Sequence, residues 1–212
     1  MPATHTPRIP RRAQNRRLCS PVGIPARRPH KNREPARSVF DGVIDTQISI
    51  RPARTEEAHA LAALHTRTRT AYYTAGGLPA QELAGAERIS GYWQRAVDEG
   101  RAQVAAASGG RVVGFLMAGS PKFDDIAAAS VRELQQIGVD PTGWGRGVGG
   151  LLHAAFVRRL RADGLTEGVV ECWEANARAQ AFYARQGWRP DGSRRPGPLG
   201  RDYVRLRLTI PC

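Results

Sequence analysis

Asp140-Pro141-Thr142-Gly143-Trp144-Gly145-Arg146-Gly147-Val148-Gly149-Gly150 is the stretch on which the reading of the fold turns. Before it, Glu133 to Val139 reads as a strand; after it, Leu151 to Ala162 puts Leu152, Phe156 and Leu160 on one face of a helix. A glycine-rich passage from strand to helix lets the backbone approach a ligand closely. Successive N–H groups at the helix start, helped by the positive end of its dipole, then form an anion site. Pyrophosphate is the natural guest; Arg146 is placed either to add charge from the side or to stand solvated in an exposed loop.

Three phosphate-binding arrangements use such loops. A P-loop is excluded because no Gly-Lys-Ser/Thr follows, so the phosphate lysine and the magnesium hydroxyl are both missing. The dinucleotide fingerprint is a stronger competitor: Gly145-x-Gly147-x-x-Gly150 fits it, and Glu171 stands 21 residues after Gly150 on the next strand. Against it, Asp140 to Trp144 separate the strand from the glycines where a tight turn is required, and few βαβ units can follow so late in a chain of 212 residues. The loop alone leaves this alternative open.

Working outward, Gln47 to Ala53 alternates as a strand, and Thr55 followed by Glu56 and Glu57 marks a helix start with acids in its first turn. That helix carries Ala58, Leu61, Leu64 and His65 at helical spacing. Gly76-Gly77-Leu78-Pro79 breaks it, and a second helix is expected over about Gln81 to Val97. Ala102 to Ala107 and Val112 to Ala118 read as strands joined by a turn at Ser108-Gly109-Gly110-Arg111. Beyond the glycine loop, Val169 to Trp173 is a strand, Ala177 to Gln186 a helix and Tyr203 to Ile210 a last strand. The order β-α-α-β-β-β-α-β-α-β predicts an α/β domain, a mixed sheet flanked by helices.

The net charge of +13 looks like a nucleic-acid signature until it is located along the chain. Residues 1–40 hold ten of the 32 basic residues against the single acid Glu34, a local charge of +9, which leaves +4 for the rest. They also hold seven of the 15 prolines and no apolar period, so residues 1–46 are expected to be a disordered basic extension. A phosphate-attracting arm, a solvated appendage and the product of an upstream start assignment all fit that composition. Without an apolar h-region it does not read as a signal peptide, and prolines interrupt any transit-peptide helix. No apolar run approaches the roughly 18 residues of a membrane helix. Cys19, Cys172 and Cys212 are widely spaced, with no C-x-x-C or Cys/His cluster, so neither a metal site nor a disulfide framework is expected and a reducing cytoplasm is the simpler setting.

A second block decides between the readings of the loop. Val139-x-Pro141-x-x-Trp144-x-x-Gly147-x-Gly149 with Leu151-Leu152 resembles the acetyl-CoA motif of the Gcn5-related N-acetyltransferases (GNAT). Asn176-x-x-Ala179-x-x-Phe182-Tyr183-x-x-x-Gly187-Trp188, some 30 residues on, resembles that superfamily's next motif. The resemblance spans about residues 47–210 and is strongest in the C-terminal half. It departs at Trp144, which stands where glutamine or arginine is usual and so puts a side-chain contact at that point in doubt.

The resemblance implies a GNAT-type, mostly antiparallel mixed sheet with acetyl-CoA in a V-shaped opening between two central parallel strands, the catalytic domain covering residues 47–212. The pantetheine arm would pair with the backbone of Ile137, Gly138 and Val139, and the phosphates would meet the N–H groups of Gly145, Arg146, Gly147, Val148, Gly149 and Gly150. Tyr183 takes the place of the general acid, although beside Phe182 it would equally serve as a core aromatic. Asn176 would bond the cofactor arm while capping the helix that starts at Ala177. Two carboxylates compete as general base. Glu133 matches the glutamate of Gcn5-like histone acetyltransferases and is preferred; Glu171 matches the one used by ribosomal-protein N-terminal acetyltransferases.

The implied activity is transfer of an acetyl group from acetyl-CoA to a primary amine, expected on a small molecule, by direct attack without a covalent acetyl-enzyme. Acetylation of a protein N-terminus or lysine is the alternative within the family. A nucleic-acid-associated protein using the basic arm is the alternative outside it, with nucleic acid not the expected partner. No metal and no membrane enter the expectation, and a homodimer is left open. His65, Tyr72, Tyr73, Phe123, Asp124 and Asp125 are acceptor-site candidates by location alone; His65 on an apolar helix face reads more readily as a core histidine.

Overall fold

The computed structural model describes residues 47–80 and 86–211, with the backbone but not the side chains of residues 86–88; the expected N-terminal extension and the start of the second helix lie outside the described residues. Seven strands form one sheet: β1 (Ser49–Pro52), β2 (Ala102–Ala106), β3 (Val112–Gly119), β4 (Val131–Val139), β5 (Glu167–Trp173), β6 (Arg189–Arg195) and β7 (Tyr203–Thr209). Their order across the sheet is β1-β2-β3-β4-β5-β7-β6. Among the described residues four helices join them: α1 (Ala58–Ala75), α2 (Ala86–Asp98), α3 (Val148–Ala162) and α4 (Ala177–Arg185). Every neighbouring pair is antiparallel except β4 and β5.

The helices divide between the two faces of the sheet because side chains alternate along each strand. Phe115 and Met117 of β3 pack with Leu61 and Leu64 of α1 and Trp93 of α2. Leu116, between them in sequence, packs with Leu152, Phe156 and Leu160 of α3 on the other face, where Tyr183 and Phe182 of α4 also lie. The helical spacing of Leu152, Phe156 and Leu160 is therefore the stripe that α3 buries.

Thr55–Glu57, expected to open the first helix, forms a separate 3₁₀ turn. Glu57 reaches back to the N–H of Arg54 at 2.8 Å and takes the Arg51 guanidinium at 2.6 and 2.8 Å, so the chain is pinned before α1 begins. The larger difference is β6, which the sequence reading did not contain. Its residues, Arg-Pro-Asp-Gly-Ser-Arg-Arg, show no apolar alternation, because the strand lies at the sheet edge with none of its side chains buried.

Among the described residues no helix is long and apolar enough to cross a membrane, and no group of His, Cys, Asp and Glu is arranged to hold a metal ion. Cys172 is free and buried.

Candidate active site

β4 and β5 stay hydrogen-bonded only from Val131 and Glu167 to Glu133 and Val169, and then part. The gap opens into a cleft of about 730 Å³ that reaches both faces of the sheet. From Leu134 to Val139 the edge of β4 that faces β5 has no strand partner. The N–H of Asp140 bonds Val113 on β3 at 2.9 Å, so in a strand's two-residue alternation Ile137 and Val139 turn their backbone groups into the cleft. Gly138 between them is required by packing: any Cβ there would be driven into the ring of Phe115.

The loop after β4 is shaped locally. Asp140 accepts from the backbone N–H and hydroxyl of Thr142 at 3.1 and 2.8 Å and from Arg67 of α1 at 3.1 Å, and these partners hold its carboxyl below the usual range despite burial. Gly147 has φ +82° and is the N-cap of α3, without a side-chain cap. The first N–H groups of α3 are thus left without intrahelical partners, and Gly147, Val148, Gly149 and Gly150 line the cleft. Arg146 is exposed and does not line the cleft.

Trp144, the departure from the expected motif, acts through its indole: Nε1 donates to the carbonyl of Val139 at 2.8 Å. The side chain therefore occupies one backbone acceptor on the free edge of β4. Arg178 of α4 lies over the indole ring at 4.3 Å, so a cation still stands beside the loop although the loop does not supply it.

The three candidate proton-transfer residues fall on opposite sides of the opening. Tyr183 lines the cleft from the α4 side, and its hydroxyl has no hydrogen-bond partner among the described residues. Burial, reinforced by the neighbouring Cys172, raises its pKa, so the phenol keeps its proton at neutral pH. Leu134 faces α3, so Glu133 next to it faces α1, and the same alternation along β5 puts Glu171 with Trp173 on the α1 face. Glu133 is buried; it accepts from the N–H of Lys122 at 3.2 Å and lies 3.5 Å from that residue's ammonium. Desolvation outweighs both and raises its pKa, with Glu171 adding to the rise. Glu171 is held at both oxygens by Arg195 of β6, at 2.8 and 2.9 Å. Asn176 caps α4, its side-chain oxygen accepting from Ala179 N–H at 3.1 Å, which leaves its NH₂ for the cleft it lines.

The sequence of residues 60–188 matches the family described as "Acetyltransferase (GNAT) family". The chain is a GNAT acetyltransferase. Among solved structures it resembles PaiA N-acetyltransferase from Thermoplasma acidophilum in complex with coenzyme A, at 16% identity and TM-score 0.61 over 77% of this chain and 99% of that one. It also resembles the polyamine N-acetyltransferase of Drosophila melanogaster, at 18% identity and TM-score 0.58 over 77% and 100%. The ribosomal-protein-S18-alanine N-acetyltransferase of Escherichia coli aligns at 18% identity and TM-score 0.57 over 78% and 96%. These likenesses speak to the fold. No curated protein matches by sequence.

As a GNAT enzyme the chain is an acyltransferase that uses acetyl-CoA as co-substrate, and the residues present suit that molecule. A free strand edge fits an amide-bearing arm, and an uncapped helix start fits phosphates. On the α1 face the acceptor candidates separate. His65, Tyr72 and Tyr73 line the cleft; Phe123, Asp124 and Asp125 do not. Asp125 is held instead by Arg205 at 2.6 Å through both oxygens, and Phe123 lies under the same guanidinium at 5.2 Å. His65 accepts from Trp93 Nε1 at 3.1 Å, and burial, with Arg69 nearby, lowers its pKa to about 4. It is a neutral, satisfied histidine at the cleft wall.

Sequence reasoning missed Lys122, Arg195 and Arg69, which line the same cleft. Each is a basic residue among many, and no local spacing sets it apart.

Proposed function

We propose that this acetyltransferase acetylates the primary amine of a small molecule, by direct attack of the neutral amine on the thioester carbonyl. The observation that carries the reading is the division of proton-transfer groups across the opening: Glu133 on the α1 face and Tyr183 on the α4 face. An acceptor entering under α1 meets Glu133, whose raised pKa suits it to take a proton from an ammonium at neutral pH. The N–C bond forms as the C–S bond breaks, Tyr183 gives its proton to the departing sulfur, and the proton shed by the acylated nitrogen passes to water, from which the phenol is reprotonated. Glu171, with its charge shared with Arg195, is the supporting carboxylate.

On the donor side, the backbone of Ile137 and the N–H of Val139, with Gly138 seating the strand against Phe115 between them, would take the pantetheine arm together with the Asn176 amide. The N–H groups of Gly145, Gly147, Val148, Gly149 and Gly150 would take the pyrophosphate, with Arg146 adding charge from solvent. Direct attack is favoured over an acetyl-enzyme by the state of Cys172, the thiol that lines the cleft among the described residues. Burial pushes Cys172 up to about 12, so it is not a thiolate at neutral pH and is a poor nucleophile.

The test is thiol release from acetyl-CoA across a library of small amines with peptide amines alongside. Turnover confined to peptides would remove the small-molecule assignment. Tyr183→Phe is expected to bind acetyl-CoA as the parent does while turning over far more slowly.

A further inference from the structure

On the α1 face, His65, Arg69 and Tyr73 follow one another four apart and share one side of the helix, all lining the cleft. The charges there do not cancel. Lys122 pairs with Glu133 at 3.5 Å and Arg195 with Glu171 at 2.7 Å, while Arg67, two residues before Arg69, pairs with Asp140 at 3.1 Å. Arg69 is half-buried and has no acidic partner among the described residues; its guanidinium lies over the Tyr73 ring at 5.5 Å. Tyr73 is fixed in turn by a hydroxyl contact to Tyr203 and by Trp173, whose ring centre is 4.9 Å from its own. His65 beside it is neutral and adds no charge.

A guanidinium that is partly desolvated and unpaired in a cleft favours an anion that binds there, because burial strengthens a charge-assisted bond. The donor's pyrophosphate has its own site at the start of α3, whose Val148 packs into the core on the α3 face, whereas Arg69 lines the cleft from α1. We propose that Arg69 anchors a carboxylate of the acceptor, so that the substrate is an amine that also bears a carboxylate, such as an amino acid, rather than a polyamine. Its ammonium then lies toward Glu133 and its carboxylate toward Arg69, and the Tyr72–Tyr73 wall covers its body. This rests on the small-molecule reading above and adds the acceptor's second group.

The test compares amines in matched sets: amino acids, their carboxamides, aminophosphonates and polyamines. With the parent enzyme, kcat/KM for the best amino acid should exceed that for its carboxamide by about tenfold or more, the span expected of one charge-assisted contact. Arg69→Gln should bring that ratio toward one, and Arg69→Lys should restore part of it. Calorimetry should show acetyl-CoA binding undisturbed in both variants, which a general unfolding would not leave intact. In a binding arm independent of turnover, N-acetylated amino acids should raise the melting temperature of the CoA-loaded parent but not of CoA-loaded Arg69→Gln. Equal turnover of amino acid and carboxamide, preference for polyamines or aminophosphonates, or a ratio unchanged in Arg69→Gln would overturn the proposal while leaving amine acetylation standing. Thiol release with no amine, together with Arg69-dependent binding of N-acetylated amino acids, would instead overturn the catalytic reading and keep the anchor.

Discussion

On the α3/α4 face, the cleft between β4 and β5 offers backbone groups beside the Tyr183 and Asn176 side chains: the free edge at Ile137 and Val139, the uncapped start of α3, and the glycines around it. On the α1 face the same cleft is bounded by side chains: Glu133, Glu171, Arg69, Tyr72 and Tyr73. A backbone site binds the part of a ligand that never changes, and its sequence trace is where glycine must be. A side-chain site binds the part that varies, and any residue type can stand there without disturbing the helix beneath.

The sharpest way to test this division is to remove one proton-transfer group from each side. Tyr183→Phe should lower kcat by about 100- to 10,000-fold, the usual reach of a positioned general acid, with acetyl-CoA affinity unchanged by calorimetry. A loss of affinity of the same size would make Tyr183 a binding residue of the backbone-lined side.

Glu133→Gln should cost about 100-fold in kcat and also change the pH profile. The parent's rate should fall as pH drops through a folded pKa above the ordinary carboxylate range, and that limb should vanish in the variant. Stability should move the other way. Because the folded pKa is raised, the folded chain holds its proton to higher pH than the unfolded one, so stability is lost as pH rises through that window. Glu133→Gln removes this loss and should melt no lower than the parent at neutral pH; a clear drop would mean that the Lys122 contacts dominate.

Two substitutions probe the donor side alone. Gly147→Ala has open space for its Cβ, so its cost of about 1–2 kcal/mol comes from the left-handed backbone at φ +82°. It should weaken acetyl-CoA binding together with the melting temperature. Trp144→Phe removes the bond to the Val139 carbonyl, about 1 kcal/mol, and weakens the Arg178 stack on the ring, and should lower the melting temperature by a few degrees.

The same contrast accounts for what could be read beforehand. The glycine loop, the Leu152, Phe156 and Leu160 stripe and the Asn176 cap each follow from a local rule, and the fold places all of them as that rule requires. β6 escaped because an edge strand needs no apolar side, and Arg-Pro-Asp-Gly carries no alternation to detect. Trp144 was legible as a departure but not as a donor to Val139, since that bond depends on how the loop folds back on β4. Arg69 was invisible for a different reason: having no acidic partner among the described residues is a property of the whole neighbourhood, not of its own sequence position.

The two margins of the sheet bear on how the protein behaves when concentrated. One margin, β1, is four residues long; the other, β6, carries Arg189, Pro190, Arg194 and Arg195 and slips register between Pro190 and Arg194. Proline offers no N–H to an incoming strand, and the register slip bends the edge away from regular pairing. Neither border is a template for edge-to-edge stacking, which guards a chain built around a broad seven-stranded sheet against growing into fibrils.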